Sequence, residues 1–266
     1  MLGFTSETAA RVLSAFLSPI PRVKGFGIVI SAIAERFKDA PIQIEKSVFG
    51  RRMRLRTNDL IGRALIFTPN YYDRHERRVI RSIVKPGDYV VDVGANIGTY
   101  TLILAGLVGP SGHVDAIEAE RFNADELRHN VQLNHMNQVV VHEVGISDKR
   151  ETLELLLNTT GNAGGHSFFD QSHIADPQIQ LIRCVPLSNI TQNRRPKFMK
   201  LDIEGFEYRA LRALFHERPK GLWPQYLMVE DNPSRREDDA IKLCIENGYD
   251  QFATVKPNVF LRLRDA

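Results

Sequence analysis

Cysteine is almost missing from this chain. Its 266 residues include two, Cys184 and Cys244, and neither belongs to a C-x-x-C pair. So few cysteines exclude a disulfide framework. We interpret both as reduced and expect Cys244 to pack in the core from a helix. This cysteine usage predicts a cytoplasmic protein.

The chain also lacks an apolar run long enough to cross a membrane. The apolar stretch GFGIVISAIA covers only residues 25–34 and is followed at once by Glu35 and Arg36, whereas a spanning helix needs about 20 residues. Residues 1–10 contain no positive side chain that would begin a signal peptide. We expect residues 7–37 to pack on the protein's own domain or on a second copy of the chain, as a homodimer. A helix lying on a membrane surface is the alternative.

No strong excess of charge of one sign is present. The net charge is +3, with 43% hydrophobic and 25% charged residues, which is typical of a soluble globular protein. Arg52, Arg54 and Arg56 alternate with other residues, and Arg74–Arg81 is a second basic cluster. The favoured interpretation of both clusters is a solvent-exposed face with salt bridges. An anionic acceptor, such as a nucleotide-linked sugar or RNA, is the alternative.

Residues 89–100, YVVDVGANIGTY, contain the strongest local signal. An apolar β-branched run predicts a buried strand, and a glycine-punctuated turn then leads into an apolar helix. Such a turn lets a ligand approach bare backbone, and the helix start offers free N–H groups. Twenty residues past Gly98, Glu118 ends a second apolar segment. An acidic residue there is placed to bind two ribose hydroxyls, so the pattern predicts a nucleoside site.

The glycine spacing excludes a dinucleotide. Counted from Gly94, Asn96 and Thr99 stand where G-x-G-x-x-G has its second and third glycines, and the phosphate loop G-x-x-x-x-G-K-[ST] is missing. What remains suits a nucleoside without phosphate, S-adenosylmethionine. We expect its carboxylate near Thr99, its ribose at Glu118, and its ammonium or sulfonium side facing Asp92.

Strands and helices alternate from residue 88 onward. This alternation predicts an α/β fold with a doubly wound, mostly parallel sheet, and the last two strands, 251–255 and 259–264, predict an antiparallel edge. Residues 46–68 are predicted as strands of a hairpin. The chain is predicted to consist of three parts: a helical extension over 1–45, a β-hairpin and basic helix over 46–87, and a cofactor-binding domain over 88–266.

Polar residues follow the carboxyl ends of the predicted strands, where ligands bind in open α/β sheets. Ser147 or Asp148 is expected to hydrogen-bond an adenine amino group, with a plain turn as the alternative. Asp202 and Glu204 flank the end of a core strand, where carboxylates are costly unless they are used or paired. The whole series is Asp92, Glu118, Ser147, Asp148, Asp202, Glu204, Glu230, Asp231 and Asn232.

Four segments together carry a family resemblance: VDVGANIGTYTL, AIEAE, GISD and KLDIEGFE. Over residues 73–250 they resemble the FkbM family of S-adenosylmethionine-dependent methyltransferases. The resemblance implies the class I methyltransferase (Rossmann-like) fold, with a seven-stranded sheet whose last strand is antiparallel. It implies O-methylation of sugars or polyketide-type products. The sequence departs from the family at Ala119, where the family usually has proline, and at Thr99, where an aromatic residue is common. The implied cofactor contacts are Asp92, Gly94, Asn96, Gly98, Glu118 and Asp148, and a structural or active-site role is implied for Asp202, Glu204 and Glu207.

An aliphatic hydroxyl is a poor nucleophile until a base accepts its proton. The candidate bases are Asp202, Glu204 and Glu230, with His166 as a fourth. The alternative to a base is a divalent cation, held by Asp202 and Asp231–Asn232 as in catechol-type O-methyltransferases. This metal-dependent mechanism is not favoured.

Three functions therefore compete. The favoured one is O-methylation of a small-molecule, glycolipid or glycan acceptor. RNA methylation is the alternative, but no Asp/Asn-Pro-Pro-aromatic motif follows residues 198–203, and nucleic acid is not the favoured acceptor. A partner protein that has lost its chemistry is disfavoured by the intact Asp92, Gly94, Gly98 and Glu118.

Overall fold

The structure is a computed structural model that describes residues 6–18, 32, 34–37, 42–157, 178–231 and 238–264. It divides into two compact units. The described residues up to Arg74, with Leu157, form the first unit, and the remaining described residues form the second. The predicted domain boundaries at residues 45 and 87 stay predictions.

The first unit contains an antiparallel hairpin. Gln43 pairs with Arg56 and Val48 with Arg51, so that Arg52, Arg54 and Arg56 share one face, as their alternation predicted. The apolar alternate residues of both strands are buried. The elements are helix α1 (Ser6–Leu17), strands β1 (Gln43–Val48) and β2 (Arg51–Arg56), and helix α2 (Leu60–Phe67).

Helix α2 corrects the prediction of strands throughout residues 46–68. The Asp59 carboxylate accepts a hydrogen bond from the Gly62 N–H at 2.5 Å, and a side-chain oxygen at this position satisfies a donor that the helix start leaves free. Leu65, Ile66 and Phe67 are fully buried. The capping aspartate after β2 was the signal for this helix, and the apolar run that follows fits a helix as well as a strand.

The second unit is built on a seven-stranded sheet, in the order β11-β12-β10-β9-β3-β4-β5. Strands β3, β4, β5, β9 and β10 are parallel. The last strand, β12, is antiparallel to both β10 and β11. The bounds of the sheet strands are β3 Tyr89–Val93, β4 His113–Glu118, β5 Val139–Glu143, β9 Phe198–Leu201, β10 Tyr226–Glu230, β11 Tyr249–Val255 and β12 Asn258–Leu263.

The other elements of the second unit follow the predicted alternation. A small sheet has the order β6-β8-β7. Cys244 is buried in a helix, and both cysteines are free thiols, as predicted. The elements are α3 Arg74–Ile83, α4 Thr99–Val108, α5 Arg121–Leu133, β6 Gly145–Ile146, β7 Glu151–Leu157, β8 Gln178–Val185, α6 Leu187–Thr191, α7 Glu207–Glu217, the 3-10 turn Lys220–Leu222, and α8 Ala240–Glu246.

The mostly parallel sheet with an antiparallel last strand is confirmed. The predicted antiparallel pair occupies one end of the sheet, where β11 is the edge and β12 lies inside. All four residues of the central strand β9 are buried. Among the described residues, no helix combines the length and apolar character needed to span a membrane.

Candidate active site

Strand order brings the carboxyl ends of four strands together. Val93, at the end of β3, pairs with Ile117 of β4 and with Leu201 of β9. Leu201 in turn pairs with Val229 of β10. The segments that follow these strands therefore emerge side by side at one edge of the sheet, which is where ligands bind in open α/β folds.

The loop after β3 is pressed against the end of β9. Gly94 has a φ of +75°, and a Cβ atom there would lie 1.8 Å from the carbonyl oxygen of Asp202. Asn96 (φ +49°) and Gly98 (φ +96°) are also left-handed. Only a residue without a side chain fits at Gly94, because the end of β9 occupies the place of a Cβ atom. The approach of a ligand to this backbone stays a prediction.

Glu118 ties this loop to β4. One carboxylate oxygen accepts the Asn96 N–H at 2.7 Å, and the other accepts the Glu120 N–H at 2.9 Å. Burial raises the pKa of Glu118 to about 7, although these hydrogen bonds act in the opposite direction. A carboxylate has about four acceptor positions, so two hydrogen bonds leave capacity for the hydroxyls of a ribose.

Asp92 is in the interior, with none of its surface exposed. Its Oδ2 accepts the Thr101 hydroxyl at 2.7 Å, and its Oδ1 lies 3.7 Å from the Lys200 ammonium. Burial raises the pKa of this carboxyl, and the nearby Lys200 opposes the rise. The expected contact of Asp92 with the ammonium or sulfonium side of the ligand stays a prediction.

Thr99 begins helix α4 and is 5% exposed. Among the described residues, its buried hydroxyl has no hydrogen-bond partner. A buried polar atom without a partner is costly, and a helix start favours an anionic group. Both facts fit a ligand carboxylate at this position.

Lys200 is the residue that the sequence reasoning missed. It lies in the apolar strand β9, yet its side chain is only 3% exposed. Its ammonium lies 3.1 Å from the Gly94 carbonyl oxygen and 3.1 Å from Asp202 Oδ2. A lysine inside the run FMKL was the available signal, because lysine is almost never buried unless it is paired.

The turn after β9 presents two of the predicted carboxylates. Glu204 (φ +56°) and Gly205 (φ +108°) both have left-handed backbones. Glu207 holds this turn, since its carboxylate accepts the Ile203 N–H at 2.7 Å and the Gly205 N–H at 3.0 Å. Burial raises the pKa of Glu207 to about 7. These contacts give Glu207 a structural role in placing Asp202 and Glu204.

Glu230, at the end of β10, faces the same cluster. Its pKa is raised to about 8, chiefly by burial and then by neighbouring carboxylates, while Lys200 opposes the rise. The neighbouring carboxylates are those of Asp202, Glu204 and Glu207. The structure thus brings together all three predicted catalytic residues. The environment of Glu230 raises its pKa toward the value that suits a general base near neutral pH.

Ser147 and Asp148 lie after β6. The buried Ser147 hydroxyl donates to Glu151 at 2.5 Å, and the Asp148 carboxylate accepts from Arg212 at 3.0 Å. Their contact with an adenine stays a prediction. Asp148 borders a cavity of about 280 Å³, which is lined by Asp148, Lys149, Tyr208, Arg209, Arg212 and Asp238.

Two predicted residues, His166 and Asn232, lie outside the described residues. In the part of the chain that the structure describes, no three His, Cys, Asp or Glu side chains are grouped so as to hold a metal ion.

The family assignment is decided by a family model. The model of the methyltransferase FkbM domain matches residues 92–252, which include the glycine loop, Glu118 and the 200–207 motif. The chain belongs to the FkbM methyltransferase family. It is an S-adenosylmethionine-dependent methyltransferase with the class I fold, as the sequence segments predicted. No curated protein sequence matches it significantly.

Solved structures of other methyltransferases are similar to this FkbM protein at low identity. A SAM-dependent O-methyltransferase from Thermotoga maritima is 14% identical, with 71% of this chain and 65% of that chain covered and a TM-score of 0.43. A SAM dependent methyltransferase from Aquifex aeolicus is 15% identical, with 72% and 93% covered and a TM-score of 0.41. TYW2 from M. jannaschii, in complex with AdoMet, is 14% identical, with 82% and 83% covered and a TM-score of 0.43. Function therefore has to be argued from the site itself.

The site residues fit S-adenosylmethionine. The Thr99 hydroxyl lacks a partner among the described residues, and Glu118 retains acceptor capacity at the end of β4. These features match a nucleoside that carries an amino-acid carboxylate and no phosphate. The assignment of each residue to a part of the cofactor remains a proposal.

Proposed function

We propose that this FkbM methyltransferase methylates a hydroxyl of a small-molecule or glycan acceptor, with a carboxylate as the general base. The observation that carries the proposal is the cluster of Asp202, Glu204 and Glu230, in which the pKa of Glu230 is raised to about 8. An alcohol needs such a base, because its own proton leaves only at high pH.

The proposed cofactor contacts divide between three places. Glu118 binds the ribose hydroxyls, the start of α4 at Thr99 binds the carboxylate, and Ser147 or Asp148 binds the adenine amino group. Gly94, Asn96 and Gly98 give the loop its shape. When bound, the cofactor supplies a methyl group on a sulfonium, whose thioether leaving group needs no acid.

The base is then the part of the chemistry that the protein supplies. Glu230 is the favoured candidate, since its side chain is half-buried and its neighbours are negative. A carboxylate with a raised pKa is a stronger base than an ordinary one. Asp202 is a weaker candidate, because the Lys200 ammonium lies 3.1 Å from its Oδ2. Orientation of the two reactants contributes to the rate as well, because methyl transfer is an in-line displacement.

The same ammonium bears on the metal-dependent alternative. A divalent cation bound at Asp202 would have to compete with the positive charge of Lys200, whose ammonium lies 3.1 Å from Asp202 Oδ2, because like charges repel each other. The donor set of the described residues therefore favours a carboxylate base over a metal. A chelator series in the activity assay tests this choice, and loss of activity restored by magnesium would reverse it.

The direct test is transfer of a labelled methyl group to pools of glycolipids, nucleotide sugars and RNA. Glu230→Gln is expected to lower the transfer rate at least about 100-fold, as removal of a general base does. Asp202→Asn and Glu204→Gln are compared with it. Glu143→Gln is the matched control, because Glu143 ends β5, an edge strand of the same sheet away from β10, and forms an exposed ion pair with Arg128.

The outcomes separate the candidates. Labelling of an alkali-stable ether on a glycan or small molecule supports the proposal, and labelling confined to RNA overturns it in favour of nucleic-acid methylation. Full activity in Glu230→Gln, with loss of activity in Asp202→Asn or Glu204→Gln, would assign the role of base to the residue whose substitution abolishes activity.

A further inference from the structure

Lys200 occupies an unusual place for a lysine. It lies in the central strand β9, where it pairs with Asp92 of β3 on one side and Met228 of β10 on the other. Its side chain is 3% exposed. Removing an ammonium from water is expensive unless hydrogen bonds and opposite charges compensate it, so the partners of Lys200 explain why it is there.

The polar partners of Lys200 come from two segments, the end of β3 with its glycine loop and the end of β9 itself. The ammonium donates to the Gly94 carbonyl oxygen at 3.1 Å, lies 3.1 Å from Asp202 Oδ2, and lies 3.7 Å from Asp92 Oδ1. It also sits 5.3 Å from the centre of the Tyr100 ring, at the first turn of α4. An ammonium has three donors, and its polar partners lie on the glycine loop, on β3 and at the end of β9 itself.

The charge of Lys200 is secure in this setting. Burial alone would lower the pKa of Lys200, but Asp202 and Asp92 outweigh it and raise the pKa above its usual value. The group therefore stays protonated throughout the neutral range. It compensates Asp92, which has no exposed surface.

The segments that Lys200 joins also touch through their backbones. Gly94 fits against the Asp202 carbonyl so closely that no side chain is tolerated there, and the Asp202 N–H donates to the Val93 carbonyl at 3.1 Å. A displacement of the glycine loop is thus transmitted to Asp202. The ammonium is the side-chain link between the same two segments.

We propose that Lys200 is a positioning residue of the cofactor site, which holds the Gly94 carbonyl and the Asp202 carboxylate in the arrangement that binds S-adenosylmethionine. It acts through these two groups and is not itself a proton donor or acceptor in the reaction. The inference depends on the methyltransferase cofactor and on the proposed site around Gly94, and it does not depend on the acceptor.

The test compares Lys200→Met with Lys200→Arg and Asp202→Asn. Binding of S-adenosylmethionine and of S-adenosylhomocysteine is measured by calorimetry, with no acceptor present. In the cofactor-free protein, hydrogen exchange of the Gly94 N–H, which donates to Ile117, reports the loop directly. Asp115→Asn is the control, because Asp115 is another buried carboxylate of the same sheet, with Arg194 as its partner at 2.6 Å.

Lys200→Met is expected to weaken both ligands at least tenfold and to speed exchange of the Gly94 N–H at least tenfold. Lys200→Arg keeps the positive charge and is expected to restore at least half of the lost affinity on a logarithmic scale. Asp202→Asn should weaken binding three- to tenfold alone and cause no further loss in the Lys200→Met background. Asp115→Asn should leave both affinities within twofold of the wild type.

Several results would overturn the inference. They are cofactor affinity within twofold of the wild type in Lys200→Met, equal loss in the Met and Arg variants, or the same affinity loss in Asp115→Asn. If Lys200→Met does not fold, Asp202→Asn decides, since unchanged affinity there removes the link. A failed search for a hydroxyl acceptor would leave these binding results intact, so the two proposals fail separately.

Discussion

Substitution of Gly94 by alanine tests the geometry of the cofactor loop most directly. The new Cβ would lie 1.8 Å from the Asp202 carbonyl oxygen, whereas ordinary contact begins at 3.4 Å. The two atoms must therefore separate by about 1.6 Å, and the obstacle is backbone, which cannot rotate away as a flexible side chain can. We expect the loop and the end of β9 to be forced apart.

The magnitude follows from two contributions. A left-handed backbone, with φ of +75° at Gly94, costs an L-residue about 1–2 kcal/mol. Overpacking in a closely packed region costs about 1–3 kcal/mol. The expected loss in the free energy of unfolding is therefore about 2–5 kcal/mol. Displacement of groups in a site by about 1 Å can cost about 100-fold in rate, so we also expect cofactor affinity to fall at least about tenfold.

Gly109→Ala is the matched control. Gly109 also has a positive φ, +65°, but a Cβ there would meet nothing within 4 Å. It follows the far end of helix α4, about 16 Å from Gly98 by the helix rise. This variant should lose about 1–3 kcal/mol, the cost of a side chain in a sparsely populated backbone conformation, and keep its cofactor affinity. Urea unfolding and calorimetric titration with S-adenosylmethionine measure both quantities. Equal losses in the two variants, or unimpaired binding in Gly94→Ala, would refute the reasoning.

Three further predictions concern individual carboxylates. Glu118→Gln should weaken cofactor binding about 10–100-fold in calorimetry, because the amide would place an N–H group against the Asn96 or Glu120 N–H; binding equal to that of Glu143→Gln would contradict this. Glu230 has a folded-state pKa of about 8 against an ordinary 4.5, so the folded state binds the extra proton and its contribution to stability is lost as pH rises from 4.5 through 8. The free energy of unfolding, measured with urea between pH 5 and 8, should therefore fall less steeply with rising pH in Glu230→Gln than in the wild type. A steeper fall would count against the assignment. Asp115→Asn removes the negative charge and one of the two acceptor oxygens that Tyr89, Arg194 and His142 share, and should lower the free energy of unfolding by about 1–3 kcal/mol. A loss below about 0.5 kcal/mol would show that the ion pair contributes little.

Local sequence patterns predicted much of the fold. The β-branched run at residues 89–93 and the apolar run at residues 198–203 predicted their strands correctly, and the glycine turn before Thr99 predicted the start of α4. The error came at residues 60–67, where an apolar run was assigned to strand although Asp59 caps a helix. Periodicity alone does not separate a short buried strand from a short helix, and the capping residue was the deciding local signal.

The sequence by itself determined which residues stand at strand ends, because strand positions and the polar residues that follow them are local properties. Tertiary structure decided how those residues pair. Gly94 and Lys200 are 106 residues apart, and only the insertion of β9 next to β3 brings the ammonium to the glycine loop. Charge states were settled in the same way, since the raised pKa of Glu230 comes from burial and from carboxylates on another strand end. Burial and through-space charge depend on distances that no local pattern encodes.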